Sequence, residues 1–385
     1  MGQAAGLRSV GVRVPDRILT NDHWRMHHPD TVAQAESRIW MWKRPVDWTE
    51  GSEAFNREMA PYVRDPFRGA RQRRFLPRDL KALHLETGAA RDALDAAGLG
   101  ADDIDMLICT SFLPDEVGIG GATFLAQELG LRCGAWNLES ACSSTLLAFQ
   151  TACSLVTSGQ CRNVLVVTSC CYSRVTTEDD PISWGIGDAA TALVVGPETG
   201  ELGLLGNHSI HSAETIEAVA YRLEVDEEQQ PVVRLRTGRQ AAKLLRENSE
   251  RYLLECCHGA LDKAGLGIDA VDHVVVNTPL AWYAAFCARA LGVDRSKTLS
   301  VYPLYANVGP ALLGLNLLHA AHWKSFQPDD VVLFYSVGSV SSCSAAVVRW
   351  GDVALGPLPK GVTYDTLKAL EADSMRPQRP VAQVA

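Results

Sequence analysis

Short, unbroken apolar runs punctuate this chain: MLICT at 106–110, NVLVVTS at 163–169, HVVVN at 273–277 and DVVLFYS at 330–336. Runs of this length predict strands covered on both faces. Residues 93–105 read ALDAAGLGADDID and residues 260–272 read ALDKAGLGIDAVD, identical at nine of thirteen positions and offset by 167. Each copy predicts a helix that ends at glycine, then a turn, then a buried strand. The same offset separates NVLVVTS from DVVLFYS, and a helical segment precedes each, Ser143 to Ser158 and Pro310 to Ser325. Two matches at one offset predict a duplicated α/β chain with two central sheets. The expected halves are residues 1–195 and 196–385.

Duplication also says where chemistry should lie. Ligands of open α/β sheets bind beyond the carboxyl ends of strands, and a pseudo-twofold brings those ends together. Three loops become suspects: the one entering the helix at Cys142, the one after Val276, and the one around Asn307. The first and third are near repeat partners, since Cys142 falls opposite Gly309. Residues 24–74 break the rhythm. RIWMWKRPVDW carries three tryptophans and DPFRGARQRRF follows, so this segment reads as an insertion that caps the site or forms a dimer face. The tail after 350 is polar and Pro-rich, and its last ten or so residues are expected to be disordered.

Composition removes several function classes. The charge of -9 over 385 residues, without a Lys/Arg run, argues against nucleic acid as a partner. No apolar run approaches the roughly 18 residues of a membrane span, and Met1 to Pro15 has no secretory apolar region. The 11 cysteines include two adjacent pairs and no CxxC, which fits neither a disulfide framework nor a zinc site. A reducing, cytoplasmic setting is expected. Most of these cysteines, Cys153, Cys161 and Cys287 among them, read as core residues.

Cys142 reads differently. In NLESACSSTLLAFQ it follows a strand and a small-residue turn and falls at a helix N-terminus. Unpaired N–H groups and the helix dipole there predict a lowered thiol pKa and a thiolate nucleophile suited to thioester exchange.

With these blocks in view, the sequence resembles the ketoacyl-ACP synthase III branch of the thiolase superfamily. SACSS at the nucleophile, WGIGDAATALVV at 184–195, YANVGPALLGL at 305–315 and YSVGSVSSCSAAVVRW at 335–350 match that family's blocks in order and spacing. The resemblance implies a thiolase fold, with two α/β halves packed as a five-layer αβαβα sandwich. It implies an obligate homodimer paired through GAWNL at 134–138. It also implies an active site of Cys, His and Asn. Cys142 matches the nucleophile and Asn307 the asparagine, but Asn277 stands where the family has histidine.

That departure changes the chemistry implied. The family's His and Asn together stabilise the enolate left when a malonyl group loses carbon dioxide. Asn277 can donate through its amide but cannot act as a base. A base would have to come from elsewhere: Glu116 in SFLPDEVGIGG, as in related enzymes where a glutamate near this position can enter the partner's site, or, less directly, His211. His319 and His322 are placed away from the thiol. The resemblance maps the oxyanion hole to the backbone N–H groups of Cys142 and Ser339.

On the substrate side, Asp180 stands where the family's CoA-binding members hold adenine with arginine. An acyl carrier protein is therefore the expected donor over acyl-CoA, with Arg68, Arg71, Arg73 and Arg74 as its landing patch. No tightly bound cofactor or metal is implied. The expected function is acyl loading onto Cys142 and transfer, without decarboxylation, to a small-molecule acceptor or second carrier, in a natural-product or fatty-acid/polyketide pathway. Decarboxylative condensation and an inactive scaffold are the alternatives.

Overall fold

The computed structural model describes residues 4–41, 52–216, 218–238 and 240–374. Two sheets form its centre. The first runs in the order Ala354–Leu355, Ala4–Arg13, Asp188–Glu198, Val164–Cys171, Met106–Phe112, Gly134–Asn137. The second runs Gly203–His211, Ser342–Arg349, Val331–Gly338, His273–Val276. Each contains the same sequence of pairings: antiparallel, antiparallel, parallel. Even the parallel edge strand Gly134–Asn137 has a vestige in the second sheet, a parallel bridge from Val274 to Thr298.

The offset read from the sequence is kept in three dimensions. The helices Ser144–Thr157 and Ala311–Lys324 begin and end 167 residues apart, as do the strands Val164–Cys171 and Val331–Gly338. The repeated helices end where glycine was expected to end them: Gly98 and Gly265 have φ of 65° and 67°. Leu99 N–H and Leu266 N–H reach back to Leu94 and Leu261 carbonyls, closing orphan acceptors of the last turn.

Layering follows from which faces are apolar. The helices Ser144–Thr157 and Ala311–Lys324 pack between the two sheets and are buried on nearly all sides, which explains their weak amphipathic pattern. Helix Ala82–Ala97 covers the outer face of the first sheet, and Ala241–Ala264 that of the second. The result is the five-layer αβαβα sandwich. The second helix approaches the first sheet so closely that a Cβ on Gly314 would lie 2.0 Å from Thr191 Oγ1.

The expected boundary at 195/196 falls inside the strand Asp188–Glu198. The tail returns to the first half: Ala354–Leu355 pairs with Ser9 and Val10, and the helix Tyr364–Ser374 buries Leu367. Ordered structure thus extends to 374, and the last residues, expected to be disordered, lie outside the described ones. So do most of the tryptophan run at 40–48. No helix among the described residues is long and apolar enough to cross a membrane.

His319 illustrates the cost of the central layer. It is fully buried, with Nε2 on Tyr305 Oη at 3.1 Å and Nδ1 on Leu315 O at 2.8 Å. Burial holds its pKa down at about 4. The unfolded chain therefore binds a proton near pH 6.5 that the folded chain refuses, so stability falls as pH drops from 6.5 towards 4. About 2 kcal/mol should be lost between pH 6.5 and 5 through this group. Urea melts of the native chain and His319→Gln at both pH values check this; the variant should show a shallower acid loss.

Candidate active site

Cys142 sits on a strained elbow. The strand Gly134–Asn137 leads through Leu138 to Ala141, whose φ is 50°, and a 3-10 turn carries Cys142 into helix Ser144–Thr157. An alanine at positive φ costs energy that neighbouring bonds must repay. Glu139 Oε1 accepts from Ala141 N–H at 2.7 Å, and Ser144 Oγ accepts from Ser140 N–H at 2.7 Å while donating to Ala141 O. The second half closes over the elbow. Ser336 Oγ donates to Cys142 O at 3.0 Å, and Ser342 Oγ meets both Ser140 Oγ and Ser143 Oγ. A Cβ on Gly338 would lie 2.7 Å from Ser140 O, so this approach requires glycine.

Cys142 is 9% exposed. Burial pushes its thiol up to about 11, and the nearby Glu139 adds to the shift. The Tyr172 hydroxyl and the backbone N–H groups of Ser339 and Cys142 pull the other way without overcoming it. The expectation of a thiolate at a helix mouth is therefore corrected: desolvation is the largest influence on the sulfur, and among the described residues no cation offsets it. Alkylation by iodoacetamide should accordingly rise about tenfold per pH unit up to about 11. A plateau near pH 8, followed by peptide mapping, would contradict the buried thiol.

Ser339 brings its backbone N–H to the Cys142 sulfur. With φ of 50° and 63°, Ser339 and Val340 form the two central positions of a tight hairpin turn closed by Ser341 N–H on Gly338 O at 2.9 Å. That turn suits Asn-Gly, and a β-branched residue there is a true outlier. Thr215 Oγ1 holds Val340 O at 2.6 Å and Ser212 N–H holds Ser341 O at 2.7 Å, fixing the turn against the sulfur.

The two asparagines part company. Asn307 is locked through its backbone to Gly185 O and Gly187 N–H. Its Oδ1 accepts from Gly309 N–H at 2.9 Å, which leaves the amide NH2 to donate. Gly309 lies beside Cys170 and Tyr172: a Cβ there would sit 2.8 Å from Cys170 Sγ and 3.4 Å from Tyr172 Oη. Asn277, by contrast, gives both ends of its amide to Val337, donating to its carbonyl and accepting from its N–H, each at 3.0 Å. It extends the ladder of the second sheet by a side chain and makes no bond to the sulfur.

Glu116 is not at Cys142 of its own chain. It pairs with Lys81 at 2.6 Å on a surface loop, its side chain 39% exposed. That loop is tied to the edge strand by Asn137 Nδ2 on Ile119 O. His211 ends an edge strand and is exposed, and His322 binds Gly356 O. Asp180 caps the 3-10 turn Pro181–Gly185 by accepting from Ile182 N–H.

The expected arginine patch is corrected for three of its four members. Arg73 is 0% exposed, held between Trp24 and Phe67 with its charge 4.5 Å and 5.4 Å from their ring centres. Arg71 is buried on Asp65, Arg74 is buried with a bond to Pro15 O, and Arg68 turns onto Val63 O. Arg71, Arg73 and Arg74 hold the insertion's loop to the body, and of the four only Arg68 is exposed. The insertion itself packs Trp24, Phe67 and Phe75 on Trp184, next to the Gly185 carbonyl that fixes Asn307.

Sequence reasoning missed the aromatic wall over the sulfur. Tyr172 Oη lies 3.7 Å from Cys142 Sγ. Tyr221, from the hairpin Val219–Val225/Pro231–Thr237, stacks on Tyr172 at 6.0 Å, and Phe112 meets both rings edge-on. A signal existed. Tyr172 ends the strand Val164–Cys171, and the repeat offset pairs it with Ser339.

A buried cysteine on a strand-to-helix elbow, faced by backbone donors where two duplicated halves meet, defines an acyl-transferring enzyme of the thiolase fold. Comparison agrees. The model of 3-oxoacyl-[acyl-carrier-protein (ACP)] synthase III matches residues 136–212, and that of its C-terminal part matches 261–350. The beta-ketoacyl-[acyl-carrier-protein] synthase III of Rhodospirillum rubrum is 30% identical over 286 residues, covering 72% of this chain and 87% of that protein. The Ruegeria enzyme of the same name is 27% identical over 289 residues, covering 73% and 88%. The crystal structure of FabH from Pseudomonas aeruginosa superposes with a TM-score of 0.74 at 20% identity, covering 90% of this chain and 98% of that one. OleA from Xanthomonas campestris gives 0.71 at 19% identity, covering 90% and 99%. The chain belongs to the ketoacyl-ACP synthase III family, and it is an acyltransferase of that type.

Proposed function

We propose that this enzyme loads an acyl group from a carrier-bound thioester onto Cys142 and passes it to an O–H, N–H or S–H acceptor without decarboxylation. The observation that carries this reading is the pairing at Val337. Stabilising a malonyl-derived enolate calls for two side-chain donors at the thioester oxygen. Asn307 has a free amide NH2, whereas both ends of the Asn277 amide are committed to backbone. Simple acyl transfer needs less: a nucleophile and an oxyanion hole, roles we assign to Cys142 Sγ and to the N–H groups of Cys142 and Ser339. We assign Asn307 to orienting the acyl carbonyl.

The donor is taken to be an acyl carrier protein, the partner in the name of the Rhodospirillum rubrum relative. The acceptor is a small molecule or second carrier of a biosynthetic pathway. A homodimer through the edge strand Gly134–Asn137, where Trp136 is exposed, completes the reading. In that assembly Glu116 acts as base towards the partner's site. Glu116→Gln should then slow acyl release several-fold more than loading, and equal slowing would count against the role.

The test is intact-protein mass spectrometry with a panel of acyl and malonyl thioesters, followed by candidate acceptors. Acetyl or longer acyl adducts that clear on adding acceptor support the proposal. Carbon dioxide released in step with product would replace it by condensation.

A further inference from the structure

Cys142 presents a chemical problem that the family resemblance does not solve for this chain. Its thiol is buried and protonated, Asn277 cannot take a proton, and Glu116 is tied to Lys81. Yet thioester exchange moves one proton from the attacking sulfur to the departing one. Among the described residues, the side chain that hydrogen-bonds the Cys142 sulfur is Tyr172, at 3.7 Å.

The phenol is placed and held. Its ring is clamped by Tyr221 on one side, 21° from parallel, and by Phe112 edge-on. The next residue, Ser173, gives its N–H to buried Asp188 at 2.9 Å, which anchors the turn. Opposite the hydroxyl is Gly309, where a side chain would crowd the same oxygen. Burial keeps Tyr172 neutral, so its single oxygen can give one proton and accept another.

We infer that Tyr172 relays the proton of acyl exchange, an inference that rests on the acyl-transfer reading above. As Cys142 Sγ bonds to the donor's carbonyl carbon, the S–H proton passes to Tyr172 Oη. The phenol's own proton passes to the donor sulfur as the carbon–sulfur bond breaks. The products are the Cys142 thioester, a free donor thiol and neutral Tyr172, with no outside acid or base consumed. In the second half the acceptor's proton enters at Tyr172 Oη, and the phenol's proton leaves on Cys142 Sγ. Tyr172 is thus a catalytic residue in contact with the reacting sulfur.

Tyr172→Phe keeps the stacked ring and removes only the relay oxygen. Loading from an alkyl thioester, whose thiol must leave protonated, should slow about 100-fold or more. Loading from an aryl thioester should slow too, but less, because the Cys142 proton must still be taken while the departing thiolate needs none. Native loading speed with both donors, or equal loss with both, overturns the relay. A second measurement needs no variant: the native protein should load the alkyl donor more slowly in deuterium oxide, because both proton movements accompany that exchange. No solvent effect with the alkyl donor also overturns it. A native protein that gains no acyl mass at all, or a Cys142→Ala protein that gains it, instead overturns the acyl-transfer reading.

Discussion

Cys142→Ala is expected to abolish acyl capture, with adduct formation slowed by at least about 10⁴-fold, since no remaining group replaces a lost nucleophile. The protein should stay folded. The side chain is small, and the elbow is held by Glu139, Ser144 and Ser336 through backbone atoms that alanine retains. Ten other cysteines make location part of the experiment. All the described cysteines are unpaired and buried except Cys133, which is half-buried. The nearest rival is Cys170, whose thiol burial raises far above its usual range. Peptide mapping of the native adduct should therefore find the acyl group on 142. Finding it on Cys170 or Cys133 would misplace the site and, with it, the roles given to Ser339 and Asn307.

Asn277→Ala should produce the largest loss of stability. The alanine leaves Val337 N–H and Val337 O without their present partners, in a strand that is buried along its whole length. Each orphaned buried group costs roughly 1–3 kcal/mol, so about 2–6 kcal/mol is at stake. Urea melts give the value directly. A change below about 0.5 kcal/mol would mean that water or a shifted backbone satisfies Val337. It would also return the Asn277 amide to the list of groups free to meet a substrate. Asn277→His is the informative companion. Imidazole cannot both donate to and accept from one backbone residue as an amide does, so it should be destabilising even if it restores decarboxylation.

The duplication was legible because a repeat writes itself in one dimension. ALDAAGLGADDID and ALDKAGLGIDAVD gave the helix ends, the buried strands and the two sheets. The offset also pointed to Cys142 and Gly309. Asn307 and Ser339 were picked out by resemblance, through YANVG and SVGSVSS. What the sequence misjudged shares one cause. The arginines of FRGARQRR look like a basic surface, since charge is a property of residue type and burial is not. Arg73 is enclosed by Trp24 and Phe67, residues separated from each other by more than forty positions. The same holds for the thiol: helix-end position argues for ionisation, but the cover from the second half decides against it.

By itself, then, the sequence determined the strands, the helix ends, the doubled architecture and the seat of Cys142 at a helix mouth, because these depend on periodicity and on neighbours within a few residues. Only the tertiary structure decided which groups surround Cys142. Tyr172 and Ser339 come from different halves, Tyr221 from a hairpin between them, and Asn277 is diverted to Val337. Protonation state and donor direction are set by what is packed around a group, and packing brings together residues that no local pattern connects.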